Sequence, residues 1–125
     1  MTDIATTDTA TIVDTYLAMW NAEDPARRGQ LIADAWMAEG TYVDPLLYAV
    51  GHDGLSEMVA GVQAQYPGYK FRRTSGVDGH HDAVRFGWEL FGPDGTVLVA
   101  GIDVGVLVDG KLRSITGFFG DLPEA

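Results

Sequence analysis

Two aspartates are placed where they could do acid–base chemistry. Asp103 lies between Ile102 and Val104, in the middle of an apolar stretch and far from either flanking turn. A strand carboxyl in that position should face the interior, where desolvation disfavours the charged form and raises the pKa unless donors or a positive partner compensate. Asp44 closes the run Thr41-Tyr42-Val43 just before Pro45, where the chain leaves a short strand for a loop. That location keeps contact with water and can hold a general base, although the commoner use of Asp-Pro is a turn in which the carboxylate binds backbone amides. A neutral acid and an ionised base facing one pocket would suit general acid–base chemistry. The plain alternative for Asp103 is a structural carboxyl that ties a bulge or a helix end.

Aromatic residues supply the candidate walls. Tyr16 and Trp20 are one helical turn apart and share a face, and the Tyr16 hydroxyl must find a partner if buried. Phe86, Trp88 and Leu90 alternate onto one face of a later strand, and Phe119 can join them from the last one. Trp20, Phe86, Trp88 and Phe119 are therefore the expected ligand contacts, unless they simply fill a core. His80-His81-Asp82 lacks metal-ligand spacing and sits in a turn segment, so no metal site is expected; one of the histidines could serve as an acid–base group at a pocket rim. Arg85 and Glu89 have the same strand parity, which suggests a surface ion pair between them. Phosphate-binding glycine loops, nucleophile elbows and dinucleotide fingerprints are absent, so no cofactor is expected.

The composition narrows the function classes. The 125 residues suffice for one domain with a real core, and 46% of them are hydrophobic. There is no cysteine, which excludes disulfides, thiol catalysis and cysteine-ligated metals. Eighteen acidic against eight basic residues give a formal charge of −10, which argues against nucleic acid or anionic membranes as partners. Lys70, Arg72 and Arg73 form the one basic cluster. No apolar run approaches a bilayer span and the N-terminus does not read as a secretory signal, so a cytoplasmic location is expected.

The elements that must position these residues follow from periodicity. Residues 1–9 read as a disordered arm, and residues 10–125 as a single domain. Ile12, Val13, Tyr16, Leu17, Met19 and Trp20 follow helical spacing. Asp24-Pro25 caps a second helix that should bury Leu31, Ile32, Ala35 and Trp36 and stop at Gly40. A short strand spans 41–45, and a third helix from Asp53 should bury Leu55, Met58, Val59 and Val62. Beyond Pro67-Gly68 the period changes to two, giving strands at 69–77, 83–91, 96–108 and 111–119 joined largely by hairpin turns. Helices followed by a meander imply an α+β domain with helices on one face of a curved antiparallel sheet. Gly101 and Gly105 are candidate places for bulges or bends that let the sheet curl. Both parities of the strand at 96–108 are apolar, which suggests a homodimer built on the outer sheet face.

This order of elements, with T-Y-V-D-P at 41–45 and I-D-V followed by D-G-K-L at 102–112, resembles the nuclear transport factor 2-like superfamily, and within it the SnoaL-like small proteins. The resemblance covers about residues 10–120. It implies a cone-shaped α+β barrel with a pocket between the sheet and three N-terminal helices, usually in a dimer. The nearest catalytic pattern is similar to that of the ketosteroid isomerases, which the handling of acid and base carboxyls in one apolar site typifies. The resemblance implies Asp44 as the base, with Tyr16 and Asp103 as donors to an enolate oxygen. The expected activity is cofactor-independent proton transfer on a small hydrophobic carbonyl compound, as isomerase or polyketide cyclase. The alternatives are a non-catalytic dimeric module binding a small ligand, and an epoxide hydrolase-like enzyme in which Arg85 would face inward.

Overall fold

A computed structural model describes the backbone from Thr2 to Ala125 and the side chains from Thr9 onward. The arm expected at residues 1–9 falls almost wholly outside the described side chains, and helix α1 is traced over Thr2–Asn21. Val13, Tyr16, Leu17, Met19 and Trp20 form its buried stripe. Helix α2 spans Pro25–Ala35, with the Asp24 carboxylate accepting from the Arg27 amide at 3.1 Å and proline in the first turn. Helix α3 spans Gly51–Gln65 and buries Leu55 and Val59.

Seven strands follow or interleave: β1 (Trp36–Val43), β2 (Tyr48–Val50), β3 (Lys70–Arg73), β4 (Asp78–His80), β5 (Ala83–Phe91), β6 (Val97–Val108) and β7 (Lys111–Phe119). They form one sheet in the order β2-β1-β7-β6-β5-β3, with β4 paired to β5. The expected α+β architecture is present, three helices against a curved sheet. The sheet is open and mixed, however, because β1 runs parallel to β7. The antiparallel β6–β7 hairpin turns at Asp109-Gly110, both in left-handed conformation, as a tight primed turn requires.

Four expectations are corrected. Trp36 opens β1 instead of closing α2: its backbone is extended and it pairs with Leu112, while its side chain is buried as a helix would also have buried it. Gly40 lies inside β1 at an irregularity in the pairing with β7; a Cβ there would meet the Trp36 ring at 2.5 Å. Gly101 and Gly105 are not bulges, since register shifts fall at Leu90/Phe91 and Val106/Leu107. They instead admit the Trp88 ring and the Ile115 and Val84 side chains onto the inner face. Arg85 pairs with Asp78 at 2.8 Å, and Glu89 with Arg72 across β3–β5.

The parity of β6 holds. Asp103 and Gly105 face the helices, whereas Ile102 and Val104 face outward with 47% and 37% exposure. Of the basic cluster, Arg72 and Arg73 are tied to Glu89 and Asp14, so their charges are locally compensated. No helix is long and apolar enough to cross a membrane among the described residues.

Candidate active site

Between the inner sheet face and the helices lies a cavity of about 300 Å³. Strands β6, β7 and β1 run side by side beneath it. Asp103 on β6 is opposite Gly117 on β7, and Asp44, one step past the Val43–Thr116 pair, flanks Gly117 from the other side. A Cβ on Gly117 would stand 2.9 Å from Asp103 Oδ1, 3.2 Å from Asp44 Cβ and 3.3 Å from the Tyr42 hydroxyl. The absence of a side chain there is what lets two carboxyls and a phenol converge.

The two carboxyls are unlike in their partners. Asp44, half-buried at the strand end, accepts three hydrogen bonds: the Leu46 and Leu47 amides reach Oδ1 at 2.8 Å, and the Tyr42 hydroxyl reaches Oδ2 at 2.7 Å. The turn use expected of Asp-Pro thus occupies one oxygen and leaves the other beside the cavity. Asp103 is 3% exposed and accepts a single hydrogen bond, from the Tyr16 hydroxyl to Oδ2 at 2.7 Å; its buried Oδ1 has no partner among the described residues.

Burial pushes the Asp103 carboxyl up from 3.8 to about 7. The Tyr16 hydrogen bond opposes that rise, as does the nearby Trp88 indole, whose N–H nonetheless closes no hydrogen bond; the Asp44 charge adds to it. Burial, and then the neighbouring Asp103, also raise both tyrosines well above the ordinary phenol value, so each remains a donor at any working pH.

Of the residues singled out by sequence, Tyr16, Asp44, Asp103, Trp20, Trp88 and Phe119 all line the cavity. Phe86 does not. It stands behind Tyr16, packed edge-on at 6.0 Å between ring centres, and so supports the phenol from outside the cavity. Trp20 packs against Tyr42 and Phe71, while Trp88 bridges Phe71 and Phe119. His80 and His81 are exposed at the β4–β5 turn and contribute nothing to the cavity wall. Arg85, 70% exposed in its side chain, points away from it, so the epoxide hydrolase reading lacks its inward guanidinium. Tyr42 and Gly117 are the members that sequence reasoning missed. The two-residue spacing of Tyr42 and Asp44 on one strand was the available signal for the first; pairing across β6, β7 and β1 alone reveals the second.

An open α+β cone whose largely apolar cavity holds two carboxyls, Asp44 and Asp103, defines the class. The SnoaL-like domain model matches residues 13–115, and the chain belongs to that family. A SnoaL-like protein of Agrobacterium tumefaciens, provisionally called an isomerase, is 39% identical over 92% of this chain and 99% of its own, with a TM-score of 0.87. A protein of Kribbella flavida provisionally called a ketosteroid isomerase shares the fold at 17% identity and a TM-score of 0.68, covering 94% of this chain and 82% of its own. So does a protein of Catenulispora acidiphila with a ketosteroid isomerase-like fold, solved in complex with trimethylamine. It is 20% identical, has a TM-score of 0.72, and covers 87% of this chain and 85% of its own. No curated protein matches the chain.

Proposed function

We propose that the protein is a cofactor-independent acid–base enzyme that moves a proton beside the carbonyl of a small, flat, hydrophobic compound. The observation that carries this reading is the inequivalence of two carboxyls in one apolar cavity: Asp44 accepts three hydrogen bonds and Asp103 accepts one. Asp44 takes the proton on Oδ2. The neutral Asp103 donates from Oδ1 to the oxygen that becomes an enolate, a charge best stabilised by fixed donors in a site closed to water. Tyr16 keeps its proton and donates a hydrogen bond to Asp103 Oδ2, which leaves the acid hydrogen for the other oxygen. The tyrosine and the aspartic acid therefore act in series, not as two donors side by side. Proton return to a second carbon gives isomerisation, and attack of the enolate carbon on a second carbonyl gives cyclisation.

The direct test uses 1-tetralone, a flat ketone with exchangeable α-protons, incubated with enzyme in deuterated buffer and followed by NMR. Wild type should speed exchange at the carbon next to the carbonyl, and Asp44→Asn should return it to the buffer rate. Exchange at the wild-type rate in Asp44→Asn would remove the base from the mechanism.

A second reading is a binding module for an organic ammonium ion. Seven aromatic side chains and two carboxyls line the cavity, with no lysine, arginine or histidine among them. That composition suits a methylated amine, the chemistry of the ligand held by the Catenulispora relative. Binding of tetramethylammonium with no ketone exchange would favour this reading over the enzyme.

We also propose a homodimer through the outer sheet face, where Val43, Ile102, Val104 and Phe118 are 37–56% exposed on neighbouring strands. Sedimentation should show a dimer at micromolar concentration, and Ile102→Asp should shift it to monomer.

A further inference from the structure

Among the described residues three buried side-chain polar atoms lack a hydrogen-bond partner: Trp36 Nε1, Trp88 Nε1 and Asp103 Oδ1. Buried polar groups are almost always paired, so each exception calls for a reason. Trp36 packs edge-on against Tyr16 and takes no part in the cavity wall, so its indole is a packing group. The other two belong to one place. Trp88 on β5 is opposite Gly101 on β6, and Asp103 is two residues further along on the same inward face. The indole lies over Gly101, where a Cβ would come within 3.1 Å of Cε2, the ring atom bonded to Nε1. Both residues line the cavity. A donor that cannot accept and a carboxyl oxygen that can carry a proton are thus left open together at one end of it.

We propose that Trp88 is a ligand-binding donor: its indole N–H and the Asp103 carboxyl together hold one oxygen of the bound molecule, which selects carbonyl and phenolic compounds. A tilt of the indole toward the cavity admits that oxygen. The proposal deepens the acid–base reading of the same site and rests on it for the nature of the oxygen. It makes Trp88 more than an aromatic wall, since a phenylalanine would preserve the wall and lose the contact.

The test titrates 1-tetralone into uniformly nitrogen-15-labelled wild-type protein and follows the indole N–H signals. The Trp88 signal is identified by its proximity to the Phe119 ring, because Phe71 also packs against Trp20. It should move downfield on binding, while that of Trp36 stays. In Trp88→Phe the ketone should bind about three- to tenfold more weakly, the range set by one neutral hydrogen bond. The carbonyl stretch of the bound ketone should rise in frequency. A Trp88 signal that moves no more than that of Trp36, with the ketone's own signals showing it bound, overturns the proposal without reference to any variant. Movement of Trp88 without catalysed exchange supports the donor and refutes the enzyme. Failure of the ketone to bind wild type overturns both.

Discussion

Asp103 holds a carboxyl in a place that stabilises its neutral form, and that has a thermodynamic consequence. The group titrates at 3.8 when exposed and near 7 in the folded chain. Between those values the folded state carries a proton that the unfolded state has lost, so stability falls as pH rises. The group's contribution is full below pH 4 and gone above about pH 7. A difference of about three pH units at 1.36 kcal/mol each amounts to about 4 kcal/mol. Asp103→Asn keeps the shape and accepts from Tyr16, but leaves an amide donor where Oδ1 now stands unpaired. An unsatisfied donor costs about 1–3 kcal/mol. The variant should therefore be about 1–3 kcal/mol more stable than wild type at pH 8, and equal or less stable at pH 4. Urea unfolding of both proteins at fixed concentration from pH 4 to 8 measures this. The other acidic residues affect both alike and cancel in the difference. Two parallel stability curves would refute the reasoning, because they would mean that Asp103 ionises in the fold as easily as out of it.

The same geometry yields two further expectations. Gly117→Ala places a methyl 2.9 Å from Asp103 Oδ1 and 3.2 Å from Asp44 Cβ. It should cost about 1–3 kcal/mol in urea unfolding and lower ketone exchange by spreading the carboxyls. Tyr16→Phe removes a hydrogen bond that favours the charged carboxyl, so Asp103 should titrate higher than in wild type when followed by its side-chain carbon-13 shift.

What the chain disclosed about itself was largely local. Helical spacing put Tyr16 and Trp20 on one face, and strand parity turned Asp103 inward; both survive because each depends on a few adjacent residues. The Asp-Pro step located Asp44 for the same reason. Trp36 misled, since Leu31, Ile32, Ala35 and Trp36 satisfy a helical stripe equally well whether or not the last of them leaves the helix. The parallel β1–β7 pairing joins residues about seventy-five positions apart, such as Trp36 and Leu112, and no local pattern announces it. Arg85 took Asp78 as partner because β4 adds to the edge of β5, a strand too short for periodicity to reveal. Phe86 shared the parity of Trp88 but packs behind Tyr16, outside the cavity wall.

The division of roles between the two carboxyls is tested most directly by the pH dependence of ketone exchange in wild type and Asp103→Asn. If Asp103 is the acid, wild-type exchange is level below neutrality and falls about tenfold per pH unit above about pH 7, as the donor loses its proton. Asp103→Asn, whose amide donates at every pH, should lack that fall. A wild-type rate that instead climbs through pH 7 would make Asp103 the base and contradict the assignment.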